Sequence, residues 1–261
     1  MHKLLVERLR QGYRTLGYPA DKAPLPPRFR GWPRLEPRLC CEPCRDCDGS
    51  CPTGALGRGP LRIDLSRCLF CGSCQRACTT GAIRFSSDHE LAARRREALE
   101  ASGGEHAAPV ESLGAPLRKL LGRSLRLRQV SAGGCNGCEA ELVALGNVVF
   151  DASRFGIQFV ASPRHADGIV VTGPVTCNMG QALRATYDAT PRPKIVVAVG
   201  ACALSGGPFA GGAEILTGLP SDLPVDLFVP GCPPHPLTIL HGLLRLLGRL
   251  RAPTRVSASG A

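Results

Sequence analysis

The sequence predicts an α/β domain with a parallel sheet, preceded by a small α+β domain organised by cysteines. Short apolar runs alternate with helical segments over residues 117–250, which is the pattern of a parallel sheet covered on both faces. Glycine-rich turns that contain cysteines directly follow three of these runs. A second group of cysteines, near the start of the chain, forms a motif that occurs twice.

Length, composition and cysteine count limit the classes of protein to consider. The 261 residues, 44% of them hydrophobic, suffice for one sizeable domain and a small one. The stretch Met1–Glu7 lacks the apolar core of a signal peptide, and no run approaches the ~18 apolar residues of a membrane helix. The chain has fourteen cysteines, and we expect a reducing cytosol, where clustered cysteines bind metal rather than form the disulfides of a secreted protein.

The chain is basic, with a formal charge of +11, but only 5% of its residues are aromatic and no nucleic-acid-binding module is recognisable. We therefore expect no nucleic acid partner. Nine Lys and Arg against three Asp and Glu fall within residues 1–40, which are also rich in proline. We interpret residues 1–40 as an arm with a short helix over residues 3–11. Two interpretations of this arm stay open: it contacts acidic partner subunits or anionic lipid headgroups, or it is simply solvated.

The duplicated motif is the most specific feature of the chain. Cys41-x2-Cys44-x2-Cys47-x3-Cys51 recurs 27 residues later as Cys68-x2-Cys71-x2-Cys74-x3-Cys78. In such a pair, three cysteines surround one iron–sulfur cubane, while the fourth ligates the cluster of the other copy. The first site therefore takes Cys41, Cys44, Cys47 and Cys78. The second site takes Cys51, Cys68, Cys71 and Cys74.

Residues 41–85 closely resemble the bacterial two-cluster ferredoxin domains. The resemblance implies two [4Fe–4S] clusters in a fold of two small hairpins and two short helices. Thr79 stands where that family usually has its second proline, but no ligand is lost. Structural zinc is the alternative, yet zinc sites separate two pairs of ligands by a long gap, unlike this spacing. Cys40 has no counterpart in the second copy, so we interpret it as a spare thiol.

Residues 86–116 are interpreted as a linker. The segment Glu90–Glu100 is rich in strong helix formers and has few apolar positions, which predicts an exposed helix. Ser102-Gly103-Gly104 would end that helix and begin a flexible loop.

The second domain is predicted over residues 117–252 and leaves residues 253–261 as a tail. A basic amphipathic turn at residues 117–121 precedes the first strand. The predicted strands are residues 125–130, 155–160, 169–172, 195–199 and 225–229. The predicted helices are residues 138–147, 179–187 and 236–250, and we expect the last of these to be buried against the sheet.

Four cysteines emerge from the three glycine-rich turns of this domain. Cys135 and Cys138 lie in the first turn, whereas Cys202 and Cys232 each lie in one of the other two. If the preceding strands are parallel, these turns meet at the carboxyl edge of the sheet, where α/β proteins bind their ligands. Four thiolates there are able to hold one metal centre, which we name the third site.

Four motifs make this domain specific: Gly134-Cys135-Asn136-Gly137-Cys138-Glu139, Thr172–Thr176, Val199–Gly207 and Val229–Pro236. Together they resemble the small subunit shared by [NiFe] hydrogenases and the complex I family. The resemblance implies a flavodoxin-like sheet that carries the proximal [4Fe–4S] cluster and contacts a large catalytic subunit. It implies that Cys135, Cys138, Cys202 and Cys232 are the ligands, and therefore three [4Fe–4S] clusters in the chain. Cys177 matches no ligand position and is expected to be a buried free thiol.

Two side chains beside these ligands have more than one interpretation. Glu139, in the first turn of a helix, is either stabilised there by the helix dipole or relays protons toward the site of a partner. His235 either caps the following helix or tunes the cluster and moves protons.

The chain has no nucleotide-binding glycine loop, no nucleophile paired with a base and no flavin fingerprint. We therefore expect it to conduct electrons while the substrate reacts on another polypeptide. The fusion of both domains resembles a membrane-associated group 4 hydrogenase of the formate hydrogenlyase type. This implies a hydrogenase-type large catalytic subunit, membrane subunits of the same complex and an electron donor or acceptor at the ferredoxin part. The predicted location is peripheral, at the cytoplasmic face of the membrane.

Two other functions stay open. One is a complex I-like module that serves a quinone; that branch carries adjacent cysteines at the first ligand position, whereas this chain has Gly134-Cys135. The other is a ferredoxin-like carrier or cluster scaffold that acts alone.

Overall fold

A computed structural model describes residues 2–21, 25–40, 45–103 and 110–250. Cys41 and Cys44 of the first site lie outside the described residues, as does the predicted tail at 253–261. None of the helices in the described part of the chain has the length and apolar character needed to cross a membrane.

The N-terminal segment is only partly an arm. Helix α1 (His2–Gln11) forms as predicted. After it, the backbone N–H of Leu16 donates a hydrogen bond of 2.9 Å to Val149 O. Tyr18 and Trp32 are buried, and strand β1 (Pro33–Leu35) follows. The prediction of an arm is therefore wrong for this second half, because its aromatic side chains belong to the cores of the folded body.

The ferredoxin-like module contains two small antiparallel sheets. Its elements are strand β2 (Leu56–Gly57), strand β3 (Arg62–Asp64), helix α2 (Ser73–Ala77), strand β4 (Ile83–Phe85) and strand β5 (Glu100–Ser102). Strand β1 pairs with β4, and β3 lies between β2 and β5. Within residues 45–103, α2 in the second copy is the one α-helix, whereas residues 46–49 of the first copy form turns. The predicted second helix is therefore not present in that range.

The predicted exposed helix over Glu90–Glu100 is wrong. Only a 3₁₀ turn, Arg96–Leu99, forms before β5, which adds a strand to the module. Leu91, Ala93 and Leu99 are buried in a core that both modules share. Burial of these side chains outweighs the helix propensity of the segment, which is a weak preference in comparison.

The second module is a flavodoxin-like α/β fold, as the resemblance implies. Its helices are α3 (Ala115–Leu121), α4 (Gly137–Ala144), α5 (Cys177–Ala189), α6 (Ala201–Ser205) and α7 (Pro236–Leu246). Its strands are β6 (Leu125–Ser131), β7 (Ile157–Phe159), β8 (Gly168–Thr172), β9 (Ile195–Val199) and β10 (Leu227–Val229). The five strands are parallel in the order β10-β9-β8-β6-β7. All five predicted strands are present, although β7 and β10 are shorter than predicted.

Both faces of this sheet are covered. Val170 of β8 belongs to the core that contains α7, whereas its neighbours Ile169 and Val171 belong to the core that contains Leu183 of α5. All residues of α7 are buried, as predicted for this helix. Alternation between two buried faces explains why β8 and β9 are continuous apolar runs.

The two modules share a hydrophobic core. Leu61, Leu65 and Cys68 of the ferredoxin-like module cluster with Ala203 and Leu204 of α6. A pair of backbone hydrogen bonds, 2.8 and 2.9 Å long, joins Ala93 to Phe228 in β10. The cysteines of both modules are therefore held in one fixed arrangement.

Candidate iron–sulfur sites

The third site lies at the carboxyl edge of the parallel sheet, as predicted. The turn after β6 and the start of α4 carry Cys135 and Cys138, α6 carries Cys202 after β9, and Cys232 follows β10. The order of strands reverses between β6 and β8, and an open α/β sheet binds its ligand at this switch point.

The four thiols of the third site lie within electrostatic range of one another. Burial raises the pKa of Cys138 to about 12, with further contributions from the charges of Cys202, Glu139, Cys232 and Cys135. Burial likewise raises the pKa of Cys202 to about 11, with help from Cys232 and Cys135. Thiolates gathered so closely need positive charge between them, and iron supplies it while lowering the pKa of its ligands. The donor set therefore fits a thiolate-bound iron–sulfur cluster.

Gly200 allows this close approach. Its φ of 90° is rare for residues with a side chain, and a Cβ at this position would lie 2.4 Å from Cys138 Sγ. No carbon atom fits at that distance from sulfur without a shift of the backbone or of the ligand. Glycine is therefore required by both the turn and the site.

Glu139 connects the ligand helix α4 to two strands. Its Oε1 accepts hydrogen bonds from Ser131 Oγ at 2.6 Å and from Thr172 Oγ1 at 2.7 Å. Ser131 ends β6 and Thr172 ends β8. Burial alone would raise the pKa of Glu139, but these two hydrogen bonds outweigh burial and lower the pKa below its usual value. The contacts support a structural role for this carboxylate.

His235 caps α7, which confirms one of its two interpretations. The backbone N–H of Leu237 donates to His235 Nδ1 at 3.2 Å. The ring also makes edge contacts with Phe29 and Phe150, at centroid distances of 5.6 and 5.8 Å. Burial lowers the pKa of His235, and nearby His89 lowers it further. A neutral ring is the form that accepts a hydrogen bond at Nδ1.

The second site is a cavity in the ferredoxin-like module. All four predicted ligands line it: Cys51, Cys68, Cys71 and Cys74. No three His, Cys, Asp or Glu side chains in the described ranges are close enough to hold a single metal ion. The backbone N–H groups of Ala55 and Phe70 donate to the sulfurs of Cys51 and Cys68 at 3.2 and 3.3 Å. Such bonds stabilise thiolates, so this cavity fits an iron–sulfur cluster.

The first site is only partly described, because Cys41 and Cys44 fall in the range 41–44. Burial raises the pKa of Cys47, and the charge of Cys78 is a further cause. Cys47 of the first copy therefore lies near Cys78 of the second. This proximity matches the predicted exchange of fourth ligands between the copies.

The second and third sites are neighbours. Cys71 and Cys232 are both exposed, although they belong to different modules. Burial raises the pKa of Cys232, and the charges of Cys135 and Cys71 raise it further. The two thiols are therefore within electrostatic range of each other, across the core that joins Cys68 to Leu204.

The twelve described cysteines are free thiols. Cys177, at the start of α5, is exposed, so the prediction that it is buried is wrong. The α5 N-terminus lies at the surface, where the N–H of Cys177 bonds to Glu214 O at 2.9 Å. Sequence reasoning missed Ser131 and Thr172 as supports of the third site. Their only signal is position, since both hydroxyls end strands that lead into the ligand-bearing edge.

Two family models match the chain. Residues 135–246 match the model described as NADH ubiquinone oxidoreductase, 20 Kd subunit. Residues 61–84, which include Cys68, Cys71, Cys74 and Cys78, match the 4Fe-4S binding domain. The first match contains all four predicted ligands of the third site.

Three curated relatives agree with these matches. A probable membrane-bound hydrogenase subunit of Pyrococcus furiosus is 47% identical over 138 residues, covering 52% of this chain and 81% of the relative. Formate hydrogenlyase subunit 7 of Escherichia coli is 43% identical over 54% of this chain and 55% of its own length. An NADH-quinone oxidoreductase subunit of Clostridium beijerinckii is 43% identical over 47% of this chain and 73% of its own length.

Fold, thiol sites and matches together define an iron–sulfur subunit of an oxidoreductase complex. Within that class, the chain belongs to the family of the 20 kDa subunit of NADH ubiquinone oxidoreductase. Its ferredoxin-like module is joined to the family domain in the same polypeptide.

Proposed function

We propose that this chain conducts electrons between its ferredoxin-like module and the large catalytic subunit of a membrane-associated group 4 [NiFe] hydrogenase. The path uses three [4Fe–4S] clusters, one at each of the three sites. The contact between the segments that bear the two sites carries this proposal, because Cys68 shares a core with Leu204 and Ser205 bonds to Ser66 O at 2.9 Å. It supports a path that crosses directly from one module to the other.

The order of the sites follows from shared residues. Cys51 belongs to the first motif but lines the second cavity, so the first and second sites adjoin. The second site lies beside the third across a shared core, in which Cys68 clusters with Leu204, and Cys71 is within electrostatic range of Cys232. Electrons therefore pass in the order first, second, third site, or in reverse. Bound at these sites, the clusters supply one-electron transfer, while the chain fixes their separation and donates N–H bonds that raise their reduction potentials.

The third site is the one that faces the catalytic partner. Cys135 and Cys232 are exposed, and a partner covering them would exclude water from the cluster. A carrier that acts alone would leave this edge open to water. The exposure of Cys135 and Cys232 therefore favours a subunit of a complex. Further partners in this proposal are membrane subunits, which hold the chain at the cytoplasmic face, and an electron donor or acceptor at the first site.

Hydrogenase is favoured over a quinone-linked module by one feature of the first turn. Gly134 precedes Cys135, where the quinone branch carries a second cysteine. The hydrogenase name of the Pyrococcus furiosus relative agrees with this choice. The complex I-like module is the second candidate, because the matching family model and the Clostridium beijerinckii relative carry that name.

The test is purification of the native complex, with assays of nickel, hydrogen and quinone. We expect stoichiometric nickel and hydrogen evolution from a low-potential donor. Cys232→Ser should abolish hydrogen evolution and remove the signal of one cluster, whereas Cys177→Ser, outside the three sites, should leave both unchanged. Quinone reduction without nickel or hydrogen activity would favour the second candidate. A native chain without a stable partner would favour the carrier.

A further inference from the structure

Helix α1 and the turn after it carry an apolar surface that the described residues leave uncovered. Leu4, Leu5, Leu9 and Tyr13 are 75%, 64%, 83% and 85% exposed. Single exposed leucines are ordinary, but a concentration on one ten-residue helix is not. We name Leu4, Leu5, Leu9 and Tyr13 the N-terminal patch.

The patch is organised by helical spacing. Leu5 and Leu9 are four residues apart and therefore lie on one face, with Tyr13 beyond the helix end. Lys3 and Arg10, seven residues apart, lie together on another face.

Positive charge surrounds this apolar face. Residues 2–14 form the segment that carries the patch, and their basic residues are Lys3, Arg8, Arg10 and Arg14. Its acidic residue, Glu7, pairs with Arg10 at 3.5 Å. The guanidinium of Arg8 lies 4.6 Å from the Tyr13 ring centre. The segment thus combines apolar side chains with a net positive charge.

The segment is also anchored to the sheet module. Thr15 Oγ1 donates to Val148 O at 2.7 Å, and the N–H of Leu16 donates to Val149 O at 2.9 Å. Val148 itself is 70% exposed, so one more apolar side chain lies next to the anchor. Helix α1 is therefore attached to the sheet module through the residues that directly follow it.

We propose that the N-terminal patch binds the interface of an anionic lipid bilayer. A basic amphipathic helix lies in such an interface, with leucines at the acyl boundary and Lys and Arg at the headgroups. The exposed leucines of α1 project from the convex surface of a single helix. A fluid bilayer accommodates such a surface, whereas an acidic protein partner would have to supply a groove matched to each leucine. The binding is a property of this chain and does not depend on electron transfer or on the partner.

The experiment is flotation of the full-length chain with vesicles. One set contains equal parts of phosphatidylglycerol and phosphatidylcholine, and the other contains phosphatidylcholine only. We expect binding to the anionic vesicles that weakens as salt is raised. Leu5→Glu with Leu9→Glu should lower the bound fraction at least about tenfold, because two buried contacts become charges. Arg8→Glu with Arg10→Glu should lower anionic binding by about fivefold or more per residue.

Leu120→Glu is the matched control. Leu120 is a 60% exposed leucine beside the basic residues Arg118 and Lys119 on α3, outside the N-terminal patch. The Leu120→Glu variant should bind the anionic vesicles to the same extent as the unmodified chain. Equal iron content and circular dichroism of all variants would show that the fold and clusters are intact.

Three results would overturn the proposal. The first is failure of the unmodified chain to bind anionic vesicles. The second is equal binding by the Leu5/Leu9 variant. The third is loss of partner subunits from the native complex in that variant while the variant and the unmodified chain bind vesicles equally, which would assign the patch to a protein surface. None of these results bears on electron transfer, so failure here and failure of the proposed function are distinguishable.

Discussion

Ser205 donates its hydroxyl hydrogen bond to the backbone carbonyl of Ser66 across 2.9 Å, inside the protein. Ser205 ends helix α6, which carries Cys202, whereas Ser66 lies two residues before Cys68. One buried contact thus connects the ligand segments of the second and third sites. The same hydroxyl lies 3.0 Å from Ala201 O, so its single hydrogen is shared between two carbonyl acceptors.

Ser205→Ala should destabilise the chain and loosen the junction between the modules. The change leaves a buried carbonyl without its donor, which costs about 1–3 kcal/mol. Anaerobic thermal unfolding of the cluster-loaded chain measures this loss. Ser153→Ala, in an exposed turn, is the control and should change stability by about 0.5 kcal/mol or less. Equal stability of both variants would show that the Ser205 contact contributes little.

Gly200→Ala should remove the third cluster selectively. The added Cβ would lie 2.4 Å from Cys138 Sγ, so the ligand or the turn must move. We expect about four of about twelve iron atoms per chain to be lost, with the other two clusters kept. Gly211→Ala is the control, because Gly211 also has a positive φ, of 84°, but has no atom within 4 Å of the added Cβ. Analysis of iron and acid-labile sulfide measures this loss. An unchanged iron content in the Gly200→Ala variant would contradict the ligand assignment.

The first and second sites are predicted to exchange their fourth ligands, Cys78 and Cys51. This exchange predicts which cysteine substitutions alter the same cluster signal. Cys51→Ser should perturb the same cluster signal as Cys74→Ser, because both thiols line one cavity. Cys78→Ser should perturb the signal of the first site instead. Electron paramagnetic resonance of the reduced chain separates the two signals. Cys40→Ser, a spare thiol in this assignment, should leave both unchanged, and a Cys51 spectrum matching that of Cys78 would refute the exchange.

Glu139 should prove to be a structural residue. Glu139→Gln keeps an acceptor oxygen for Ser131 and Thr172, so it should cost about 1 kcal/mol or less. Glu139→Ala leaves the buried Thr172 hydroxyl without this acceptor and should cost about 1–3 kcal/mol. Hydrogen turnover by the Gln variant of the complex should stay within about threefold of the unmodified complex. A loss of about a hundredfold or more in this variant would instead assign a proton relay.

The duplicated motif and the glycine-rich turns contain most of the information about the sites. Cys51 lines the same cavity as Cys68, Cys71 and Cys74, as the 27-residue repeat predicts. The gathering of Cys138, Cys202 and Cys232 also follows, because parallel strands end at one edge. These features are local or periodic, so a single sequence is sufficient to predict them.

Other features depend on contacts between distant segments. Residues 90–100 favour a helix by propensity, but the shared core buries Leu91 and Leu99 in an extended segment and a 3₁₀ turn. Trp32 was predicted to lie in the N-terminal arm, whereas the fold places its side chain in the same core. Propensity is a preference of less than about 1 kcal/mol per residue, whereas burying a large apolar side chain contributes about 1.5–3 kcal/mol.

The sequence by itself therefore determined the parallel sheet and the edge at which its cysteines meet, and it predicts the thiol ligands and their division into three sets. Only the tertiary structure decided how the modules join, that Cys71 approaches Cys232, and that Glu139 connects Ser131 with Thr172. The physical reason is range. Ligand spacing and strand periodicity act within a few residues, whereas the relative position of two modules depends on a shared core to which residues far apart in the chain contribute.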